Sequence, residues 1–166
     1  MKKSLEDYRK GAVGALMDEY ERAALELKAL VEPVSEEYYK RIADVETKDA
    51  DCHSIQTIMN HVIHAAYGYA NAIRRKTSMP FEPLGDERKQ ISKEEIGAEI
   101  DKVLAYTVET LEGRWEMSYA ELEKVIVERK DNFSENLEQL LEHAVLHVLR
   151  HRRQIEKFLL KFQNWS

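Results

Sequence analysis

The apolar residues of this 166-residue chain recur three and four positions apart almost throughout, and only six glycines and three prolines interrupt that spacing. Side chains at this spacing share one face of an α-helix, so the pattern is typical of amphipathic helices that bury one side. No segment has the alternating pattern that would favour a β-strand. The sequence therefore predicts an all-α protein, a single-domain four-helix bundle over residues 1–166.

The predicted helices begin and end at recognisable signals. Pro33 ends the first helix, and the basic run Arg74–Lys76 marks the end of the second. Capping-box patterns at Ser92–Glu95 and Asn132–Glu135 open the third and the fourth. The predicted spans are residues 5–30, about 51–76, 92–111 and 132–162. Residues 113–131 could extend the third helix or form an irregular crossing.

Composition excludes several classes of protein. No apolar run is long enough to span a membrane, and the acidic residues soon after Met1 argue against a signal peptide. The single cysteine, Cys52, cannot form an internal disulfide and fits a reducing compartment. A formal charge of −6 argues against nucleic acid as a partner. We therefore expect a cytoplasmic protein, and we interpret the basic group Arg150, Arg152 and Arg153 as cations near a helix end.

Three of the six histidines, His143, His147 and His151, lie four residues apart in the fourth predicted helix. With about 100° of rotation per residue, His147 and His151 fall inside the apolar stripe of that helix, and His143 falls on its rim. Burying an imidazole without a partner costs about 1–3 kcal/mol. Two inward rings therefore need a metal ion or hydrogen-bonding groups across the core, and the pair favours the ion.

A metal site needs a third ligand, which the second predicted helix offers. His61 lies at the edge of the buried face of that helix, whereas His64 falls outside it and is expected to be exposed. Gln154 follows His151 by three residues on nearly the same helix face. Its amide could reach a water molecule or a substrate at the site, which makes Gln154 a candidate catalytic residue.

Two segments resemble the DinB-like superfamily of four-helix metal proteins. The members of this superfamily typically have one histidine in the second helix and the pattern His-x-x-x-His-Arg-Gly-Gln-Ile near the C-terminus. Residues 58–61 and 147–155 match these features, with Arg153 in place of the usual glycine. A bulky cation at that position could narrow or recharge the approach to the site. In helix order and spacing the resemblance covers nearly the whole chain.

The resemblance implies a site of three histidines, His61, His147 and His151, completed by water. Nickel, zinc, manganese or iron could occupy such a site, because nitrogen ligands alone do not choose among these metals. Two further residues have open roles. His143 could be a fourth ligand, a group behind the ligands or a surface residue, and we favour the surface. Cys52 is expected to be a small buried side chain rather than a ligand.

The resemblance also implies an activity. Characterised relatives include transferases and isomerases that use low-molecular-weight thiols, so we expect a metal site that activates a thiol or water for transferase or hydrolase chemistry on a small molecule. A homodimer is compatible with this fold. The alternative is a non-catalytic bundle that binds a ligand or a protein, since no convincing general base can be identified. A sealed core would favour that alternative, and an open cleft at the histidines would favour the enzyme.

Overall fold

The computed structural model of the protein describes residues 4–85, 88–128 and 133–163. Most of these residues are helical, and the only strands among them form one short ribbon. The helices are α1 (Gly11–Val31), α2 (Glu36–Lys40), α3 (Ile55–Lys76), α4 (Ile96–Leu111), α5 (Tyr119–Leu122) and α6 (Leu137–Gln163), and 3₁₀ turns lie at Leu5–Asp7 and Ala50–Cys52. Strands β1 (Val127–Glu128) and β2 (Ser134–Glu135) pair antiparallel. The predicted all-α fold is confirmed.

The four long helices pack in a ring. Helix α1 lies against α4 and α6, and α3 lies against the same two helices from the other side. Each contributes fully or nearly fully buried side chains to one core, among them Met17, Ile58, Ile100 and Leu140. Burying each such side chain stabilises the fold by about 1.5–3 kcal/mol. None of the described helices combines the length and the apolar character that crossing a bilayer requires.

Side-chain caps fix where α3 and α6 begin. The hydroxyl of Ser54 accepts a hydrogen bond from the backbone of Thr57, 3.1 Å away, which sets the first turn of α3. Asn136 and Gln139 exchange two such bonds, each 3.0 Å long, at the start of α6. The predicted cap at Asn132–Glu135 is therefore wrong, because residues 134–135 pair with β1 instead. Asn132 itself lies outside the described residues.

Two other sequence predictions need correction. The prediction that the chain has no strand is wrong, because β1 and β2 pair, although two residues are too few to show an alternating pattern. The first helix begins at Gly11 rather than at residue 5. Gly11 has a φ of +72°, and a Cβ there would lie 2.2 Å from the carbonyl oxygen of Trp115. Only glycine allows this close approach between the start of α1 and the loop after α4.

Candidate metal centre

Three histidine side chains meet between α3 and α6. His61 lies on α3, and His147 and His151 lie on successive turns of α6. One nitrogen from each ring lies within 4.8 Å of the other two, and the Nε2 atoms of His61 and His147 are 2.8 Å apart. The rings of His147 and His151 are nearly inaccessible, with 5% and 4% of their residue surfaces exposed. The structure thus brings together the three histidines that the sequence pointed to.

The spacing of these nitrogens suits a shared ion. Two imidazole nitrogens that bind one ion at about 2.1 Å and at right angles lie about 3 Å apart. Nε2 of His151 is buried and has no hydrogen-bond partner among the described residues, and the same holds for Nδ1 of His61. Buried polar atoms are seldom left in this state. The cluster therefore has a donor set that fits a metal ion, and the unpartnered Nε2 of His151 is one of its three candidate ligand atoms.

Burial also keeps the imidazoles neutral. Desolvation, with help from the neighbouring imidazoles, lowers the pKa of His147 to about 3. Desolvation together with the nearby His61 lowers the pKa of His151 to about 4. Desolvation lowers the pKa of His61 as well. A protonated imidazole has no free lone pair, so rings that remain neutral at pH 7 are ready to bind a cation.

Two side chains contact these rings. The amide oxygen of Gln154 lies 3.2 Å from Nδ1 of His151. Because that oxygen only accepts, Nδ1 carries the hydrogen and Nε2 keeps its lone pair for an ion. The carboxylate of Asp51 lies 3.4 Å from Nδ1 of His61, without the geometry of a hydrogen bond, and also pairs with Arg88. Gln154 thus contacts a candidate ligand, while its predicted role toward a reactant stays a prediction.

A cleft of about 550 Å³ opens onto the cluster from solvent. His61 and His147 form part of its wall, whereas His151 lies behind them. The other lining residues are His64, Ala65, Gly68, Tyr69, His143 and Arg150. A neighbouring depression of about 770 Å³ shares His143, His147 and Arg150 with this cleft. The core is therefore not sealed at the histidines.

The two remaining histidines near the cluster differ from their predicted roles. His143 is outside the group of three, but Nδ1 of its ring is held 2.8 Å from the buried carboxylate of Glu135, and its ring lines the cleft. His143 is therefore more than a surface residue, because its ring has a buried partner and forms part of the cleft wall. His64 was expected to be exposed and is half-buried, because Leu84 in the loop after α3 lies over the same groove.

Cys52 ends the 3₁₀ turn before α3 and is half-buried rather than buried. Its thiol contacts Gln154, and its sulfur lies 3.6 Å from a carboxylate oxygen of Asp49. Burial raises the pKa of this thiol, although Gln154 and Arg150 act in the opposite sense. A protonated thiol is a weak nucleophile and a weak ligand, so the geometry agrees with a packing role.

Sequence reasoning missed Asp51 and Glu135, the carboxylates that contact His61 and His143. Both lie outside the long helices, one in a 3₁₀ turn and the other in β2, where no helical wheel applies. An acidic residue a few positions before a histidine-bearing helix is the only signal that pointed to Asp51. Nothing in the sequence pattern pointed to the contact of Glu135.

A sequence model of the DinB superfamily matches residues 19–155 of the chain. The matched range contains His61, His147 and His151, together with Gln154. Comparison with curated proteins and with solved structures found no match.

Proposed function

Because the chain belongs to the DinB superfamily, we propose that it is a divalent-metal-dependent enzyme that activates a thiol or a water molecule, as a thiol-dependent transferase or a hydrolase. One observation carries the proposal. His61, His147 and His151 converge from two helices, with the Nε2 atoms of His61 and His147 2.8 Å apart and the buried Nε2 of His151 without a partner among the described residues. Family membership and this cluster together support a metal-binding enzyme more strongly than either does alone.

In this proposal the Nε2 atoms of His61, His147 and His151 hold the ion. Gln154 fixes the tautomer of His151, and Asp51 orients His61. When bound, such an ion lowers the pKa of a coordinated thiol or water, so that a strong nucleophile exists near pH 7. Nitrogen ligands are compatible with nickel, zinc, manganese or iron, and the proposal does not choose among them.

The ligand count and the cleft favour catalysis over a structural role. Structural zinc sites are closed by four protein ligands, whereas three leave a position open for a reactant. Here His147 carries one candidate ligand atom and also lines the cleft of about 550 Å³. A small molecule that enters this cleft therefore meets the cluster directly. The non-catalytic alternative would be better supported if the histidines were closed off from solvent.

The same proposal covers the substrate class, the partners, the cellular location and the oligomeric state of the enzyme. The size of the cleft suits a small-molecule substrate. The formal charge of −6 continues to argue against nucleic acid. A cytoplasmic location rests on the sequence features given above, chiefly the single cysteine, and a homodimer rests only on the resemblance to four-helix relatives.

Spectroscopy of the cobalt-loaded protein tests the proposal. We expect 2-mercaptoethanol to produce a thiolate-to-cobalt absorption band, and the loaded protein to speed the attack of this thiol on 1-chloro-2,4-dinitrobenzene. In that reaction a sulfur–carbon bond forms and chloride leaves. His147→Gln should lose both signals. A protein that holds cobalt but shows no band, no thiol transfer and no hydrolysis of 4-nitrophenyl acetate would overturn the proposed function.

A further inference from the structure

The cleft over the three histidines is lined by few charged side chains. Among the described residues that line it there is no aspartate or glutamate, and Arg150 is the only permanently charged side chain. Imidazole binds a metal ion as a neutral donor, so the three candidate ligands would not cancel any of the charge of a divalent ion. The wall of a loaded cleft would therefore contain the ion and Arg150 as its charges, while the carboxylates of Asp51 and Glu135 lie against the rings of His61 and His143 without lining the cleft.

Arg150 lies next to the cluster. It is one residue before His151 and three after His147 on α6, and it lines both the cleft and the neighbouring depression. A substrate in the cleft would therefore have its reacting end at the histidines and another part within reach of this guanidinium.

Arg150 and its neighbour Arg152 differ in the ion pairs that they form. The guanidinium of Arg152 forms ion pairs with Glu26 on α1 and with Glu156 one turn along α6. Within the described ranges no carboxylate forms an ion pair with Arg150. The solvent-exposed guanidinium offers a planar set of donors that matches a carboxylate. The sequence-based interpretation of these arginines as general helix-end cations thus does not account for Arg150.

We propose that Arg150 binds a carboxylate of the substrate and so makes the enzyme selective for small carboxylate-bearing molecules. The inference rests on the proposed function, because it takes the three-histidine cluster as the reacting end of the cleft. A carboxylate is a better match than a phosphate, because the lining has a single arginine and phosphate sites usually combine several donors. Arg150 is then a specificity-determining residue that touches the substrate.

Binding of two matched thiols to the cobalt-loaded protein tests the inference. The probes are 3-mercaptopropionate and 3-mercapto-1-propanol, which have the same length and differ in charge. We expect Arg150→Gln to weaken the binding of 3-mercaptopropionate roughly three- to tenfold, because a two-bond pair between guanidinium and carboxylate is stronger than an ordinary exposed ion pair. Binding of the alcohol should change by less than about twofold. Arg153→Gln is the matched control, since it removes the same charge three residues along α6. The side chain of Arg153 lines the neighbouring depression but not the cleft.

The outcomes separate this inference from the proposed function. Equal effects of Arg150→Gln on both thiols, or equal losses with Arg153→Gln, would overturn the role of Arg150 while leaving thiol activation intact. If neither thiol binds the cobalt, the thiol form of the proposed function fails. The role of Arg150 is then decided by calorimetry with 3-hydroxypropionate and 1,3-propanediol. Unchanged affinity of Arg150→Gln for 3-hydroxypropionate would overturn it there.

Discussion

Two clusters of buried polar side chains lie along α3, and they are built in opposite ways. Around Arg74 every polar group has a protein partner. Its guanidinium donates to the hydroxyl of Thr110 at 2.7 Å and to the carbonyls of Pro80 and Tyr106 at 3.1 and 3.2 Å, and its charge pairs with Glu109. Around His61, His147 and His151, by contrast, two buried ring nitrogens have no hydrogen-bond partner among the described residues.

The difference separates a structural cluster from a ligand site. A buried polar network with all its bonds made holds the chain in place, in this case the loop after α3 against α4. A buried cluster with unmade bonds costs stability unless something outside the chain completes it. Removing a residue should therefore damage the fold at Arg74 and damage metal binding at the histidines.

The largest expected effect is on metal affinity. His147→Gln keeps a side chain of similar size but removes one of three ligands, so we expect the affinity for Zn²⁺ or Ni²⁺ to fall by more than about a hundredfold. Calorimetry against a competing chelator measures it. His143→Gln, one turn earlier on α6 and outside the group of three, is the control and should stay within severalfold. Equal losses of metal affinity in the two variants would show that His147 is no more a ligand than His143.

The opposite behaviour is expected at the structural cluster. Arg74→Ala leaves buried acceptors without their donor, so we expect the free energy of unfolding to fall by about 2–4 kcal/mol. Metal affinity of the folded fraction should not change. Urea denaturation measures the loss, with Arg75→Ala, at the exposed neighbouring position, as the matched control. A loss of metal affinity in Arg74→Ala would mean that the two clusters are coupled.

Asp51 tests the histidine cluster from another side, because it contacts the candidate ligand His61 but is not itself in the group of three. Its carboxylate lies 3.4 Å from Nδ1 of His61. Removing such an orienting group usually lowers metal affinity tenfold to a hundredfold, and we expect Asp51→Asn to fall in that range. Asp101→Asn, a surface change at an ion pair with Lys28, provides the control. An affinity within twofold of the wild type would show that Asp51 does not orient His61.

The metal-free protein should also lose stability in acid because of the histidine cluster. In the unfolded chain His147 binds a proton near its ordinary pKa of 6.5, whereas in the folded chain burial lowers that pKa to about 3. Stability is therefore full well above pH 6.5 and falls as the pH drops toward 3, by up to about 1.4 kcal/mol per pH unit for each such ring.

Urea denaturation of the metal-free protein at pH 7, 6 and 5 measures this dependence. In His147→Gln the free energy of unfolding should fall less steeply as the pH drops, because the variant lacks one titrating ring. The same slope in the variant and in the wild type would indicate that His147 takes up its proton equally in both states.

The smallest expected effect concerns the wall of the cleft. Gly68 lies inside α3, and a Cβ there would meet only a methyl group of Leu84 at 3.9 Å, an ordinary contact. Replacing a helical glycine by alanine stabilises by up to about 1 kcal/mol, so Gly68→Ala should raise the Tm slightly and leave metal affinity unchanged. Destabilisation would mean that the wall of the cleft is more tightly packed than the structure indicates.

Helical periodicity explains why much of this arrangement could be predicted. His147 and His151 share a helix, so their common orientation follows from the rotation per residue. The position of His61 opposite them depends on how α3 and α6 align, which periodicity does not give. Periodicity placed His61 only at the edge of the buried face of its helix, and the resemblance then joined it to the other two. Contacts from Asp51 and Glu135 depend on the path of short segments without a repeating pattern. Local sequence contains little information about such paths.

The central claim is that the three histidines hold a metal ion, and elemental analysis of protein purified without an affinity tag tests it most directly. We predict about one transition-metal ion per chain, the number that one three-histidine site holds, and almost none in His147→Gln prepared in the same way. The claim would be contradicted by wild-type protein that contains no stoichiometric transition metal and whose Tm does not rise when Ni²⁺ or Zn²⁺ is added.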